Sequence, residues 1–136
     1  MGTGDSESTI RVVKSFRDLN VYKLALEQAK RIFVISRDFP KEETYSLTDQ
    51  IRRSSRAVNA MIAEAWARRK YQAAFVNKLN EALGEAMETQ AWLDHARECG
   101  YLNPELHQEL DKSWQYVGAM LNKMIQKADI FCKHAK

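Results

Sequence analysis

The chain has 136 residues, a length typical of one globular domain with a core of its own. Hydrophobic residues make up 45% and charged residues 29%, and the formal net charge of +3 permits an anionic partner without requiring one. No segment approaches the ~20 apolar residues of a membrane-spanning helix, and the first nine residues lack the apolar core of a signal peptide, so a cytoplasmic protein without membrane contact is expected.

The first predicted helix follows a flexible arm expected over residues 1–14. It begins between Ser15 and Asp18, either of which can cap it. It ends near Asp38, because Pro40 disfavours helical geometry at the residue before it. Apolar residues recur along one face at steps of three and four, as an amphipathic helix requires: Leu19, Tyr22, Leu26, Ala29 and Phe33.

The second predicted helix begins after Ser46, which can cap it with Asp49 three residues further on. Its end is open, because AEAWARRKYQAAF contains no glycine, proline or good cap. The second and third helices therefore either run together for some turns or break at residues 68–71. The predicted inner line of the second helix has the spacing of a helix packed nearly parallel to its neighbours: Leu47, Ile51, Ser55, Val58, Ile62 and Ala65.

The third predicted helix runs from about Tyr71 to Cys99 and is closed by Gly100, which can take the left-handed conformation. A fourth helix begins at once, with Asn103 as its cap and Pro104 in its first position. The third helix has an inner line of Phe75, Leu79, Ala82, Ala86, Leu93 and Ala96, and the fourth has Leu106, Leu110, Trp114, Val117, Leu121, Met124, Ala128 and Phe131.

Four amphipathic helices joined by short connections predict an all-α fold, an antiparallel up-down four-helix bundle. The predicted bundle domain spans residues 15–132 and a C-terminal tail spans 133–136. Several large apolar residues lie off the inner lines, and such residues tend to cluster at interfaces. A homo-oligomer is therefore expected, with interface candidates Trp66, Tyr71, Val76 and Trp92.

Motifs of catalysis and cofactor binding are missing from the sequence. No Glu-x-x-His, HExxH, GxxxxGK or GxGxxG occurs, so no metal, cofactor or catalytic residue is predicted and the protein is interpreted as non-enzymatic. Cys99 and Cys132 lie far apart and are predicted to be buried or half-buried thiols in a reducing compartment. An enzyme is a distant third hypothesis, for which the only carboxylate candidates are Glu64, Glu85 and Glu88.

The second and third helices have opposite charge. Residues 44–71 carry six basic side chains against two acidic ones, whereas residues 71–99 carry five acidic against two basic ones. The arginines suit either the carboxylates of the next helix or subunit, or the phosphates of a nucleic acid. Both interpretations stay open here, and the candidates for RNA or DNA binding are Arg52, Arg53, Arg56, Arg68, Arg69 and Lys70.

Four segments of the chain resemble a known family: FRDLNVYKLA, FPKEETYSLTDQIRRSS, MIAEA and EALGEAMETQAWLDHARECGYL. They resemble the four-helix bundle proteins named for intervening sequences in bacterial 23S ribosomal RNA genes, over residues 16 to about 125. The resemblance implies a bundle assembled as a ring of five subunits, a homopentamer, without established enzymatic activity or cofactor. More distant relatives in retroelements bind a reverse transcriptase and its RNA, so the alternative is an RNA- or DNA-binding adaptor.

The polar pattern of that family is matched at Gln50, Arg52, Arg53 and Glu64. Relatives usually have Asn-Ile-Ala-Glu-Gly where this chain has MIAEA at 61–65. They also tend to have a small residue and proline where Val58 and Asn59 stand here. Because two helix breakers are lost, the exit of the second helix is expected to differ.

Overall fold

The computed structural model describes residues 6–135, which form helices joined by turns and loops. Four long helices pack together around one core, and two short helices lie at the ends of this range, as expected for an all-helical protein. The helices are α1 (Glu7–Val12), α2 (Asn20–Ser36), α3 (Leu47–Ala67), α4 (Gln72–Glu98), α5 (Pro104–Gln126) and α6 (Ala128–Lys133), with 3₁₀ turns at Phe16–Asp18 and Lys41–Glu43.

The ends of the long helices are set by local sequence. Ser15 and Asp18 form a reciprocal capping box around the first 3₁₀ turn, so α2 begins just after the predicted point. Gly100 takes φ of 80°, and the N–H of Tyr101 donates to the Ala96 carbonyl at 2.8 Å, which closes α4. Asn103 accepts from the Leu106 N–H at 2.8 Å, which opens α5.

The break between α3 and α4 lies at residues 68–71, one of the two alternatives left by the sequence. The Arg69 guanidinium stacks on the Trp66 ring at 3.5 Å, and its Nε donates to the Trp66 carbonyl at 2.9 Å. A helix leaves its last carbonyls unsatisfied, so this side chain caps the end of α3 without glycine or proline. A local contact between an arginine and the residue three positions before it thus does what a helix breaker does elsewhere.

The inner lines predicted for the second and third helices are buried throughout, including Ser55. The line of the fourth helix is also buried from Leu110 onward, while Leu106 is half-buried near the start of α5. A short interruption at Lys127 separates α5 from α6 within that line. On α2, in contrast, Leu26 is 53% exposed although it belongs to the predicted face.

Residues 7–12 differ from the expected flexible arm, because they form helix α1 and pack on the bundle. Ile10 is buried in the common core, which gives this segment an apolar anchor. Glu7 accepts from Lys133 Nζ at 2.8 Å and lies 3.2 Å from His134 Nε2, so the expected C-terminal tail is also tied down at these two residues. Residues 1–5 and 136 of the arm and tail lie outside the described residues.

Candidate functional site

The seam between α3 and α4 is closed by polar contacts across it. Arg53 pairs with Glu88 and, at 3.3 Å, with Glu85, and the hydrogen bond to Glu88 raises the pKa of Arg53. Beneath them the buried hydroxyls of Ser54 and Thr89 lie 2.8 Å apart, in hydrogen-bond contact. The opposite charges of these two helices therefore form ion pairs within the chain. Arg53 belongs to this network, so its guanidinium is already paired with carboxylates.

Lys78 on α4 adds a further contact to the same seam. Its ammonium lies 3.4 Å from Glu64 of α3 and 3.4 Å from Glu81. All three carboxylates considered for catalysis, Glu64, Glu85 and Glu88, are thus ion-paired with basic side chains. Neither of the cavities described next is lined by them.

The seam between α2 and α5 is open in comparison. A groove of about 1030 Å³ lies along it, and a smaller cavity of about 340 Å³ lies beside Val34, Ile35 and Leu106. Arg31 of α2 pairs with Glu109 of α5 between them, the one ion pair that joins these helices within residues 6–135. The apolar lining of the groove includes Val12, Val13, Leu24, Met120, Met124 and Phe131.

The six predicted nucleic-acid-binding residues do not form one face. Arg52 and Arg56 point to the α2–α3 seam, where both guanidinium groups lie over the ring of Phe33, at 4.7 and 5.4 Å from its centroid. Arg37 joins them at 4.7 Å. Sequence reasoning missed Phe33 and Arg37 as site residues, although their i,i+4 spacing on α2 could have indicated a pair.

The remaining basic candidates lie at the α3–α4 turn, about 18 Å along α3 from Arg56 at 1.5 Å per residue. Arg68 and Lys70 are exposed there. Arg69 instead stacks on Trp66, and burial lowers its pKa. The turn therefore presents two exposed basic side chains, Arg68 and Lys70, and a third, Arg69, that stabilises the end of α3.

The four interface candidates also have different environments. Trp66 is only 9% exposed and is covered by its own chain, so it offers little surface to a partner. Trp92 is half-buried, and its indole N–H donates to Glu88 at 3.0 Å. Val76 is half-buried, whereas Tyr71 is 72% exposed. Of the four, only Tyr71 keeps most of its surface accessible.

One group of side chains within residues 6–135 has the composition and spacing of a metal site. Ligand atoms of Asp94, His107 and Asp111 lie within 4.8 Å of one another. Each already has a protein partner: His107 Nε2 lies 2.8 Å from Asp94, and Gln90 and Gln115 donate to Asp111 at 3.0 and 2.6 Å. These hydrogen bonds account for the cluster as a link between α4 and α5.

The two cysteines form no disulfide with each other. Cys132 is half-buried on α6 as predicted, but the prediction was wrong for Cys99, which is exposed at the end of α4. Burial raises the pKa of the Cys132 thiol, which keeps it protonated and weakly nucleophilic at neutral pH.

Comparison with known proteins identifies the helical core. The model of the family described as 23S rRNA-intervening sequence protein matches residues 17–123, which contain α2, α3, α4 and most of α5. The chain belongs to this family. A crystal structure of a protein of unknown function from the S23 ribosomal protein family, from Bacteroides thetaiotaomicron VPI-5482, is similar with a TM-score of 0.70. It shares 31% sequence identity, and the match covers 78% of this chain and 95% of that one.

The comparison with curated proteins gave no match. Within this 23S rRNA-intervening sequence family protein, α1 and α6 lie outside the family match, and both contribute to the groove between α2 and α5. None of the helices in residues 6–135 has both the length and the apolar composition that crossing a bilayer requires. The family description refers to an intervening sequence in 23S rRNA, and it names no reaction.

Proposed function

We propose that this protein is a self-assembling, non-enzymatic scaffold, a ring of five antiparallel up-down bundles in the cytoplasm. The antiparallel order is supported by the short connection at residues 68–71, which returns the chain along the closed α3–α4 seam. The observation that carries the proposal is the apolar groove between α2 and α5. A bundle that worked alone would be expected to close this seam as it closes the other.

A second copy of the chain is the proposed occupant of the groove. Large apolar side chains are exposed on α2, at Leu26 and Val34, and separately on α4, where Met87 is 59% exposed. Because α2 and α4 are different sides of the subunit, surfaces of this kind favour head-to-tail contacts, which close into a ring. Tyr71 at the α3–α4 turn extends the second surface.

Sedimentation velocity at micromolar concentration tests this proposal. The molar mass obtained for the wild-type protein is expected to be five times the chain mass of 15.7 kDa. Leu24→Glu places a carboxylate in the groove and should release monomers, whereas Asn122→Glu, on an exposed position of α5, should leave the assembly intact. A monomeric wild-type protein, or an intact ring in Leu24→Glu, would refute assembly through this groove.

An RNA- or DNA-binding adaptor is the second candidate, favoured by the exposed Arg68 and Lys70. Neither has an ion-pair partner within residues 6–135, so both can reach phosphates. The double variant Arg68→Gln/Lys70→Gln should weaken binding of a labelled RNA in low salt by about tenfold and reduce its salt dependence. Unchanged binding in the double variant, or no binding by the wild type, would remove this candidate.

A further inference from the structure

Three guanidinium groups from two helices converge on one aromatic ring at the α2–α3 seam. Arg37, which follows the last residue of α2, and Arg52 and Arg56 of α3 lie 4.7, 4.7 and 5.4 Å from the Phe33 centroid. We propose that these residues form a phosphate-binding site. The proposal does not rest on self-assembly, since the groove is on the α2–α5 side of the bundle.

Arg52 is held in place by a built network. Its Nε donates to Ser36 Oγ at 2.7 Å and its Nη2 contacts the Phe33 carbonyl at 3.4 Å. Ser36 is buried and in turn donates to the Phe33 carbonyl at 3.1 Å. Two of the five guanidinium N–H groups of Arg52 are thereby used, and the other three stay available to a ligand. A fixed guanidinium binds an oxyanion with less loss of conformational freedom.

No carboxylate neutralises this cluster in the described part of the chain. Arg31 and Arg53 show the contrasting behaviour, since each pairs with a glutamate across its seam. Arg37 and Arg56 lie over the ring of Phe33, and neither guanidinium has a hydrogen bond or an ion pair to another side chain within residues 6–135. The π face attracts cations, but three like charges around one ring repel one another, and a bound anion would relieve that repulsion.

Phosphate is the anion that fits this arrangement. Arg52 and Arg56 lie one turn apart on the same side of α3, so one phosphate beside the ring can reach both, and Arg37 contacts the same ring from the end of α2. Guanidinium forks bind phosphate oxygens in a bidentate manner, and a phosphate offers more acceptor oxygens and more charge than a carboxylate. The source is either a small phosphate compound or the backbone of a nucleic acid, which share this chemistry.

Isothermal titration calorimetry in low salt tests the site with pyrophosphate, and fluorescence anisotropy tests it with a labelled ten-nucleotide RNA. The double variant Arg37→Gln/Arg56→Gln should weaken whichever ligand binds by at least tenfold. Arg17→Gln is the matched control, because Arg17 lies singly over the Phe16 ring at 4.5 Å, and it should bind as the wild type does. Arg52→Lys keeps the charge but loses the fork, and should also weaken binding. Circular dichroism verifies that each variant keeps its helix content.

The two ligands separate the sources of the phosphate. Pyrophosphate binding without RNA binding assigns the site to small phosphate compounds, and RNA binding alone assigns it to a nucleic-acid backbone. Absence of binding to both, or equal affinity in the double variant and the wild type, would overturn the proposal. So would a double variant that changes only the sedimentation coefficient, because the arginines would then meet carboxylates of a second copy.

Discussion

The α3–α4 seam and the α2–α5 seam belong to the same bundle but are built differently. The first is closed by the Arg53 network, by Lys78 and by the buried Ser54–Thr89 contact. In the part of the chain that the structure describes, the second has one ion pair, Arg31–Glu109, between two cavities, and apolar side chains line the larger cavity. The chain closes one seam with its own side chains and leaves the opposite one open, and the proposed association rests on this contrast.

The charge pattern gives the same contrast at finer scale. Among the arginines of α3, Arg53 faces α4 and finds two glutamates, while Arg52 and Arg56 face α2 and find the Phe33 ring. These three arginines lie within about one and a half helix turns, yet Arg53 pairs with carboxylates while Arg52 and Arg56 lie over an aromatic ring. Which role each takes depends on the helix that its side faces.

The largest expected effect is a difference in stability loss between a substitution in the core of the bundle and one in the groove. Leu79→Ala should lower the free energy of unfolding by about 2–5 kcal/mol, because Leu79 is fully buried and leaves a cavity. Leu24→Ala at the groove should cost less than about 1.5 kcal/mol at low protein concentration, since its side chain is half-buried. Urea denaturation at several protein concentrations measures the loss of unfolding free energy in both variants. Equal losses at every concentration would show that the two regions are equally part of the monomer core.

A smaller effect is expected from the buried hydroxyl pair of the closed seam. Thr89→Val removes the partner of Ser54 and should cost about 1–3 kcal/mol, because a buried hydroxyl then loses a hydrogen bond. The double variant with Ser54→Ala should recover part of that loss, as a double-mutant cycle in urea will show. Strictly additive losses would mean that the two hydroxyls do not stabilise the seam together.

Ion pairs on the two seams should differ by a still smaller amount. Arg53→Gln breaks contacts with two glutamates and should cost about 0.5–1 kcal/mol in low salt, with the loss shrinking at 1 M salt. Arg31→Gln at the open seam breaks one exposed pair and should cost about 0.5 kcal/mol or less. Thermal denaturation at both salt concentrations compares them. A larger loss of stability in Arg31→Gln than in Arg53→Gln would show that the ion pair of the open seam is the stronger one.

The smallest effect concerns pH and the loop before α3. Tyr101 donates its hydroxyl to Glu43 at 2.8 Å, and this hydrogen bond raises the pKa of Tyr101 from 10.0 to about 12. The raised pKa means that the contact stabilises the fold fully below pH 10 and that its contribution is lost as pH rises through about 12. NMR titration of the Tyr101 ring should show ionisation at a pH above 10, and Glu43→Gln should lower the pKa of Tyr101 toward 10. Ionisation of Tyr101 near pH 10 in the wild type would contradict the contact.

Much of the fold could be predicted from the sequence, because helix periodicity and capping act within a few residues. Gly100 and Asn103 mark helix ends as predicted, whereas Ser15 caps the 3₁₀ turn that precedes α2 and not α2 itself. The packed helix at residues 7–12 was not predicted, since its single buried anchor, Ile10, shows no periodicity. The candidate site was only partly predictable: Arg52 and Arg56 were named, but Phe33 and Arg37 were not.

The sequence by itself determined that this protein is helical, where α4 ends and α5 begins, and which side of α3 and α4 faces the core, but it left the break between α3 and α4 open. Only the tertiary structure decided what lies opposite the arginines of α3: glutamates of α4 for Arg53 and the aromatic ring of Phe33 for Arg52. The physical reason is one of range. Backbone hydrogen bonds and apolar spacing act along one helix, whereas the partner of a charged side chain depends on how two helices are rotated against each other.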